Sequence, residues 1–308
     1  MAATKEIKNR IKSVKDTQKI TNAMYLIAST KLRKAKSELD FTRPYFRELQ
    51  GEIKRIFRTS EGVDNKYFYP VSGEREFPGS YGYLVITADK GLAGAYNQNV
   101  IKEAIRLMSE HENPKLFVVG EYGRHYFTSH NIPIEQSFLY TAQNPTISRA
   151  RVISNLLLDL FNRGELAKIY IIYTDMQSAV NAQACSTRLL PFHRTQFIVP
   201  GYYEKEVKKP FEFVPSIERV LDNIVPSYVT GFIYSALIDS FCSEQNARMT
   251  AMDSANQNAQ KLLDELTVQY NHIRQSAITQ EITEVSSGAK SMRKKAKMKN
   301  LQGGVIAQ

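Results

Sequence analysis

Proline is missing from both ends of this chain: all eleven prolines lie between Pro44 and Pro226. Glycine is as scarce there, with none in the first 43 residues and none in the 56 residues from Phe232 to Ser287. Without these breakers, two long helices can run uninterrupted. Only two cysteines occur, Cys185 and Cys242, far apart and without metal-ligand spacing. That excludes a disulfide framework or a zinc motif and reads as a reduced, cytosolic protein. No apolar run approaches the roughly 18 residues needed to cross a bilayer, and the opening Met-Ala-Ala-Thr-Lys-Glu leads into charged helix rather than a signal peptide. The chain is therefore expected to be soluble, or peripheral at most. The five histidines, His111, His125, His130, His193 and His272, stand at no ligand spacing with a carboxylate or cysteine. A Gly-x-Ser-x-Gly elbow and a Gly-Lys-Ser/Thr phosphate loop are both absent. No catalytic residue and no metal site emerges.

What the ends do contain is periodicity. Ile7, Ile11, Val14, Gln18, Thr21, Tyr25, Ala28, Leu32, Ala35 and Leu39 alternate steps of three and four, and eight of the ten are apolar or Ala. A second series runs Met249, Met252, Asn256, Ala259, Leu263, Leu266, Tyr270, Ile273 and Ala277, with eight of nine apolar or Ala. A 3.5-residue period over such lengths is a coiled-coil seam. Each helix would extend about 60 to 85 Å, so the sequence predicts a rod carrying a globular knob, with the two seams paired antiparallel. Two ordinary amphipathic helices on one core are the plainer alternative, and the small residues in the seams favour close helix contact instead.

The net charge is +10, from 41 basic and 31 acidic residues. Residues 5–36 hold ten Lys or Arg against Glu6 and Asp16, and Lys290, Arg293, Lys294, Lys295, Lys297 and Lys299 crowd the stretch after Gly288. Such blocks suit nucleic acid, an anionic membrane surface or an acidic protein cavity, or are simply solvated.

The middle reads as α/β. Eleven of the fifteen glycines fall between Gly51 and Gly201, so loops are concentrated there. Strands are expected at 81–87, 115–120 and 168–174. Helices should follow the Asp89-Lys-Gly-Leu-Ala-Gly94 turn as far as about Glu110, and cover 146–162 with an apolar stripe at Ile147, Val152, Leu156 and Leu160. Alternation of strand and helix predicts a Rossmann-like domain with a mostly parallel sheet. Residues 51–78 read as a loose linker and 200–215 as the return to the rod. The resulting partition is an N-terminal coiled-coil helix at 1–57, an α/β foot at 78–205, a C-terminal coiled-coil helix at 211–289 and a flexible basic extension at 290–308. The turn opens a helix after a strand, as phosphate-binding glycines do, but lacks the three-glycine spacing of a dinucleotide site.

Three ordered blocks carry a resemblance. Ile7-Lys-Asn-Arg-Ile11, with Ser13-Val14, Thr17, Lys19-Ile-Thr21, Ala23-Met24, Ala28 and Lys31-Leu32, resembles the N-terminal helix of the gamma subunit of F-type ATP synthases. Asp89–Gly94 with Asn97 is similar to that family's Asp-Arg-Gly-Leu-Cys-Gly turn, departing at Lys90 and Ala93. Ser243-Glu244, Ala247-Arg-Met249, Ala251-Met252, Asn258-Ala259, Tyr270-Asn271, Arg274-Gln275, Ile278-Thr-Gln-Glu281, Glu284 and Gly288-Ala289 resemble its C-terminal block.

The resemblance implies a rotor shaft, bacterial in type, with no active site or cofactor of its own. The shaft would stand inside a hexamer of alternating alpha and beta subunits, with the foot on the epsilon subunit and the membrane c-ring. Magnesium and ADP or ATP would belong to alpha and beta, and the complex would lie at the cytoplasmic face of the cell membrane. Arg274, Gln275 and Thr279 match residues that bind a beta-subunit loop. Met24, Arg248 and Glu281 fall in blocks tied to coupling, and Asp89, Lys90, Gly91 and Gly94 form the foot turn. Met24 as ordinary seam packing and Arg248 as a solvated surface charge are the plainer readings. Two departures stand out: a basic extension after Ala289, positioned to meet acidic residues of the hexamer or to restrain rotation, and the lack of a paired-cysteine insert for thiol control. Two readings from other classes remain open on the residues alone: a basic coiled-coil nucleic-acid-binding protein, and a nucleotide-dependent enzyme acting alone.

Overall fold

The computed structural model describes residues 2–59, 65–69, 79–139, 142–176, 182–193 and 212–303. Its elements are α1 (Ala2–Thr59), β1 (Ser80–Ile86), α2 (Tyr96–Met108), β2 (Lys115–Val119), α3 (Glu121–Ser129), β3 (Gln136–Phe138), α4 (Ile147–Asn162), β4 (Leu166–Met176), β5 (Ala182–Leu190) and α5 (Ile217–Gly303). The chain divides into two compact units, Tyr25–Ala251 and the pair Met1–Met24 with Met252–Gln308.

The first unit is built on a five-stranded sheet of order β3-β2-β1-β4-β5. Its β1–β2, β1–β4 and β2–β3 pairings are parallel, and β4–β5 is antiparallel. The sheet is therefore mostly parallel, as the strand–helix alternation predicts. One face buries Leu84, Ile86, Phe117, Val119, Ile169 and Ile171 against α4 and the parts of α1 and α5 in this unit. The opposite face buries Tyr83, Val85, Leu116, Val118 and Ile172 against α2 and α3. Both faces are covered, so the central strands read as continuous apolar runs rather than alternating ones.

Several expectations need correction. Residues 51–59 are not linker: α1 continues through them, burying Ile53, Ile56 and Phe57. Residues 65–69 pack as an aromatic strap, with Tyr67, Phe68 and Tyr69 buried and Phe68 bridged to Phe192. The remainder of the expected linker and most of the 200–215 return lie outside the described residues. On α4 the expected stripe is half borne out: Leu160 is buried and Leu156 packs against the same core. Ile147 and Val152 are exposed, while Ala150, Ile153, Leu157 and Phe161, spaced three and four apart, point inward. Helix α3 and strands β3 and β5 were not anticipated. One 18-residue window of α5 has a mean hydropathy of 1.2 and is apolar enough to span a bilayer by composition, but 61% of it is buried within the fold.

In the second unit, α1 as far as Met24 and α5 from Met252 pair through the predicted seam. Thr21 Oγ1 donates to Asn256 Oδ1, and Gln18 Nε2 donates to Gln260 Oε1 at 3.3 Å. As the α1 number falls from 21 to 18 the α5 partner rises from 256 to 260, so the pairing is antiparallel. Taken over both units, all ten predicted α1 positions and all nine on α5 are buried or half-buried. Pro44 and Pro226 lie inside helices but outside both series. Beyond Ala277 the seam stops, and every residue from Ile278 to Lys295 is exposed. The helix nevertheless runs on through the basic extension to Gly303. Lys, Arg, Ala and Met, with no proline, make that stretch a good helix former, where the sequence reading had placed a flexible tail.

Candidate functional site

After β1 the chain crosses the carboxyl edge of the sheet through Thr87–Gly94. Helices α2 and α3 lie on one face and α4 on the other, so the gap between β1 and β4 is the topological switch point, where open α/β sheets hold ligands. Here α5 fills that gap. Thr174 N near the end of β4 donates to Ser240 Oγ at 3.2 Å, and Ser243 Oγ donates to Thr174 O at 3.5 Å. Farther along α5, Arg248 Nη2 donates to Lys90 O at 3.3 Å and to Gly91 O at 3.0 Å. Arg248 Nη1 pairs with Glu244 Oε1, which also accepts from Gln245 Nε2 at 3.1 Å.

The group is dry: Glu244, Gln245 and Arg248 are 6%, 3% and 9% exposed. Burial pushes the Glu244 carboxyl above the usual carboxylate range, and the Arg248 guanidinium pulls it back down. Burial and the Glu244 carboxylate together push the Tyr96 hydroxyl up. A phosphate at this switch point would have to displace a buried ion pair, so the place where a dinucleotide would sit is a helix lock instead. Arg248 is no solvated charge. The sequence signal for this lock is the i,i+4 Glu244–Arg248 pair, which belongs to none of the motif spacings.

The turn itself is tied at both ends. Asp89 Oδ1 accepts from Glu121 N at 2.9 Å, at the positive start of α3, and Oδ2 accepts from Gln143 N at 3.1 Å. Asn97 Oδ1 accepts from Ala88 N at 2.9 Å. Gly94 takes φ 54°, which glycine adopts without penalty, whereas Leu92 takes φ 61° as a bulky residue and is 65% exposed. Leu92 is thus strained and exposed beside the exposed Lys90 at the tip of the turn that Asp89, Lys90, Gly91 and Gly94 mark in the sequence.

The remaining predicted residues lie in the two-helix unit. Met24 is half-buried on α1, while Arg274, Gln275, Thr279 and Glu281 are exposed on α5. Gln275 and Thr279 line one shallow groove with His272, Ser276, Gln280, Thr283 and Glu284. Thr279 Oγ1 donates to Gln275 O at 2.9 Å, leaving its oxygen lone pairs as acceptors. Arg274, Gln275 and Glu281 make no side-chain hydrogen bond or ion pair among the described residues. The structure thus separates the predicted set into a buried lock at the sheet edge and an unengaged polar face on α5.

A family model described as ATP synthase matches residues 3–292. The ATP synthase gamma chain of Acetivibrio thermocellus is 39% identical over 297 residues, covering 95% of this chain and 100% of its own. That of Caldanaerobacter subterraneus subsp. tengcongensis is 41% identical over 292 residues, covering 92% and 98%. Among solved structures, a chain of the Euglena gracilis mitochondrial ATP synthase (OSCP/F1/c-ring, rotational state 3) aligns with a TM-score of 0.67 at 16% identity, covering 94% of this chain and 95% of that one, a likeness of fold.

Proposed function

This chain belongs to the gamma-chain family of ATP synthases, and on that premise we propose that it couples rotation to catalysis through the unengaged polar face of α5. It is a central-stalk subunit that works with other subunits of a membrane-associated complex. Its finer partners are proposed to be the alpha and beta subunits around the paired helices, and epsilon and the c-ring at the sheet unit. The complex would stand at the cytoplasmic face of a bacterial cell membrane.

The mechanism is differential binding. One shaft cannot present the same surface to three chemically identical beta subunits. At any angle Arg274 and Glu281, on one side of the helix, and Gln275 and Thr279, roughly a third of a turn away, meet different beta subunits or different parts of one. Each angle therefore stabilises a different conformation, and nucleotide affinity, of each beta subunit. Guanidinium, amide and hydroxyl groups can exchange acidic and carbonyl partners as the shaft turns. Ion flow turning the ring would drive synthesis, and hydrolysis would turn the shaft backwards.

The observation that carries this reading is the match to gamma chains along nearly the whole length, together with a seam that leaves the polar α5 face outside it. The nucleic-acid-binding alternative explains the charge but not the sheet unit or the matched length. The test is ATP hydrolysis by alpha and beta subunits co-expressed with and without this chain, with composition read by native mass spectrometry. One copy per three alpha–beta pairs, with multi-site hydrolysis depending on it, is expected. A chain that never associates would overturn the reading.

A further inference from the structure

The family model stops at residue 292, and the Acetivibrio relative aligns along its whole length while leaving 5% of this chain unmatched. The basic stretch therefore straddles the end of what is shared. In the structure α5 carries it as continuous helix, so Lys290, Arg293, Lys294 and Lys295 have fixed positions relative to the residues before them. Lys290, Arg293 and Lys294 fall at i, i+3 and i+4, on one side of the helix, and all three are exposed, as is Lys295.

Beside them runs an apolar stripe. Ile278, Ile282, Val285 and Met292 are 44%, 64%, 73% and 75% exposed, with Ala289 completing steps of four, three, four and three. This stripe does not continue the intramolecular seam. Extending Ile273 and Ala277 by the same steps leads to Gln280 and Glu284, both polar. The apolar positions reappear one or two residues past the seam positions, so they face a different direction from the surface that α1 covers.

We propose that the exposed end of α5 docks on a carboxylate-rich protein surface of the neighbouring subunits, the apolar stripe seating the helix and Lys290, Arg293, Lys294 and Lys295 holding it electrostatically. A phosphate backbone offers nothing to the apolar stripe, so nucleic acid is the poorer match. A bilayer surface is poorer too: residues 278–299 contain no Trp, Phe, Tyr or Leu, the residues that anchor interfacial helices, and they include Glu281 and Glu284. An acidic protein surface complements both features. Such a dock would act as a salt-sensitive restraint on the turning shaft, and it rests on the reading of this chain as a stalk subunit.

The test uses the assembled complex containing either the full chain or the variant K290Q/R293Q/K294Q/K295Q, with subunit composition checked first. Zero-length carboxyl-to-amine cross-linking should join Lys290, Lys294 or Lys295 to Asp or Glu of another subunit. Hydrolysis by the wild-type complex should speed up on the order of tenfold as salt rises and the Debye length falls below about 10 Å, and the variant should hold the fast rate at every salt concentration. A variant with the wild-type salt response, or cross-links confined to this chain, would overturn the dock while leaving the stalk role standing. A salt response abolished by nuclease would overturn it in favour of nucleic acid. Failure of the wild-type chain to assemble would instead remove the stalk reading itself.

Discussion

Replacing Arg248 by Met should loosen the sheet unit far more at neutral pH than at acid pH. The guanidinium is 9% exposed, pairs with a carboxylate that is 6% exposed, and donates two further bonds to the carbonyls of Lys90 and Gly91. Methionine keeps much of the stem volume but leaves Glu244 charged and buried, with Gln245 as its hydrogen-bond donor and the more distant Lys31 as its remaining cation. Removing one partner of a buried pair costs about 3 to 5 kcal/mol. The sign of the pH dependence follows from Glu244. Its carboxyl is already raised by burial, and Arg248 is the main influence holding it down, so the variant raises it further. A folded-state value above the unfolded value means the folded form binds the extra proton, so stability falls as pH rises through that folded value. Protonation of Glu244 relieves more of the stranded charge at pH 5 than at pH 8, so the variant loses less stability at the lower pH. The assay is amide hydrogen exchange of residues 87–97, which reports this turn directly, at both pH values. The double variant E244Q/R248M should be more stable at pH 8 than R248M alone, because the stranded charge is gone. Loss of less than about 1 kcal/mol at pH 8, or equal loss at the two pH values, would refute the account of a dry, charge-paired lock.

Gly231→Ala should destabilise the same unit by about 1 to 3 kcal/mol, since its Cβ would lie 1.9 Å from Phe46 Cδ1; G231A/F46A should recover stability in urea unfolding, and no recovery would exclude that clash as the cause. Asp239 is pushed up to about 6 by burial and by Asp175, with Arg43 opposing. The folded form therefore keeps a proton that the unfolded chain releases near pH 4, and stability should fall as pH rises from about 4 through 6, by roughly 3 kcal/mol at most. Asp239→Asn should flatten that slope in urea midpoints measured between pH 4 and pH 8. Leu266→Ala, at a seam position 3% exposed, should cost about 2 to 4 kcal/mol and speed amide exchange in residues 5–24 and 255–277, leaving the sheet strands unchanged.

The seam was fully legible because a 3.5-residue period repeats over many turns, and repetition averages out the occasional misfit. Its polar exceptions were legible as positions but not as partners: Gln18 and Thr21 interrupt one series and Asn256 the other, and the pairing shows Thr21 bonded to Asn256. A polar pair within an apolar seam penalises slipped registers, a role that single-helix patterns cannot reveal. The strands at 81–87, 115–120 and 168–174 were legible as apolar, largely β-branched or aromatic runs. Strand β5, Ala182–Leu190, escaped because Gln183, Cys185, Ser186 and Thr187 form no apolar run; it is an edge strand only half-covered, and its pairing to β4 comes from the sheet. The α4 stripe is only half right, since four apolar residues at steps of five, four and four drift around a helix: Leu156 and Leu160 meet the core and Ile147 and Val152 do not, whereas Ala150 and Ser154, small and easily overlooked, mark the packed face. The lock at Arg248 depends on two carbonyls 157 and 158 residues away, and no local pattern encodes a contact that distant.

The size of the angular effect sets how much chemistry the shaft must carry. Moving a two-state subunit from about 1:99 to 99:1 takes roughly 5.5 kcal/mol of differential interaction. A hydrogen bond involving a charged group contributes about 1.5 to 3 kcal/mol. Under the stalk reading, two to four such bonds made at one angle and broken at the next are therefore enough. Arg274, Gln275, Thr279 and Glu281 supply one cation, one amide, one hydroxyl and one carboxylate on a helix face that the seam leaves uncovered. Burying them in the seam would have stabilised the pair of helices but left nothing to distinguish one angle from another. Under the same reading, such a shaft gains its function from polar groups left exposed by its own fold, and the proposed contact residues accordingly lie next to a seam rather than in one.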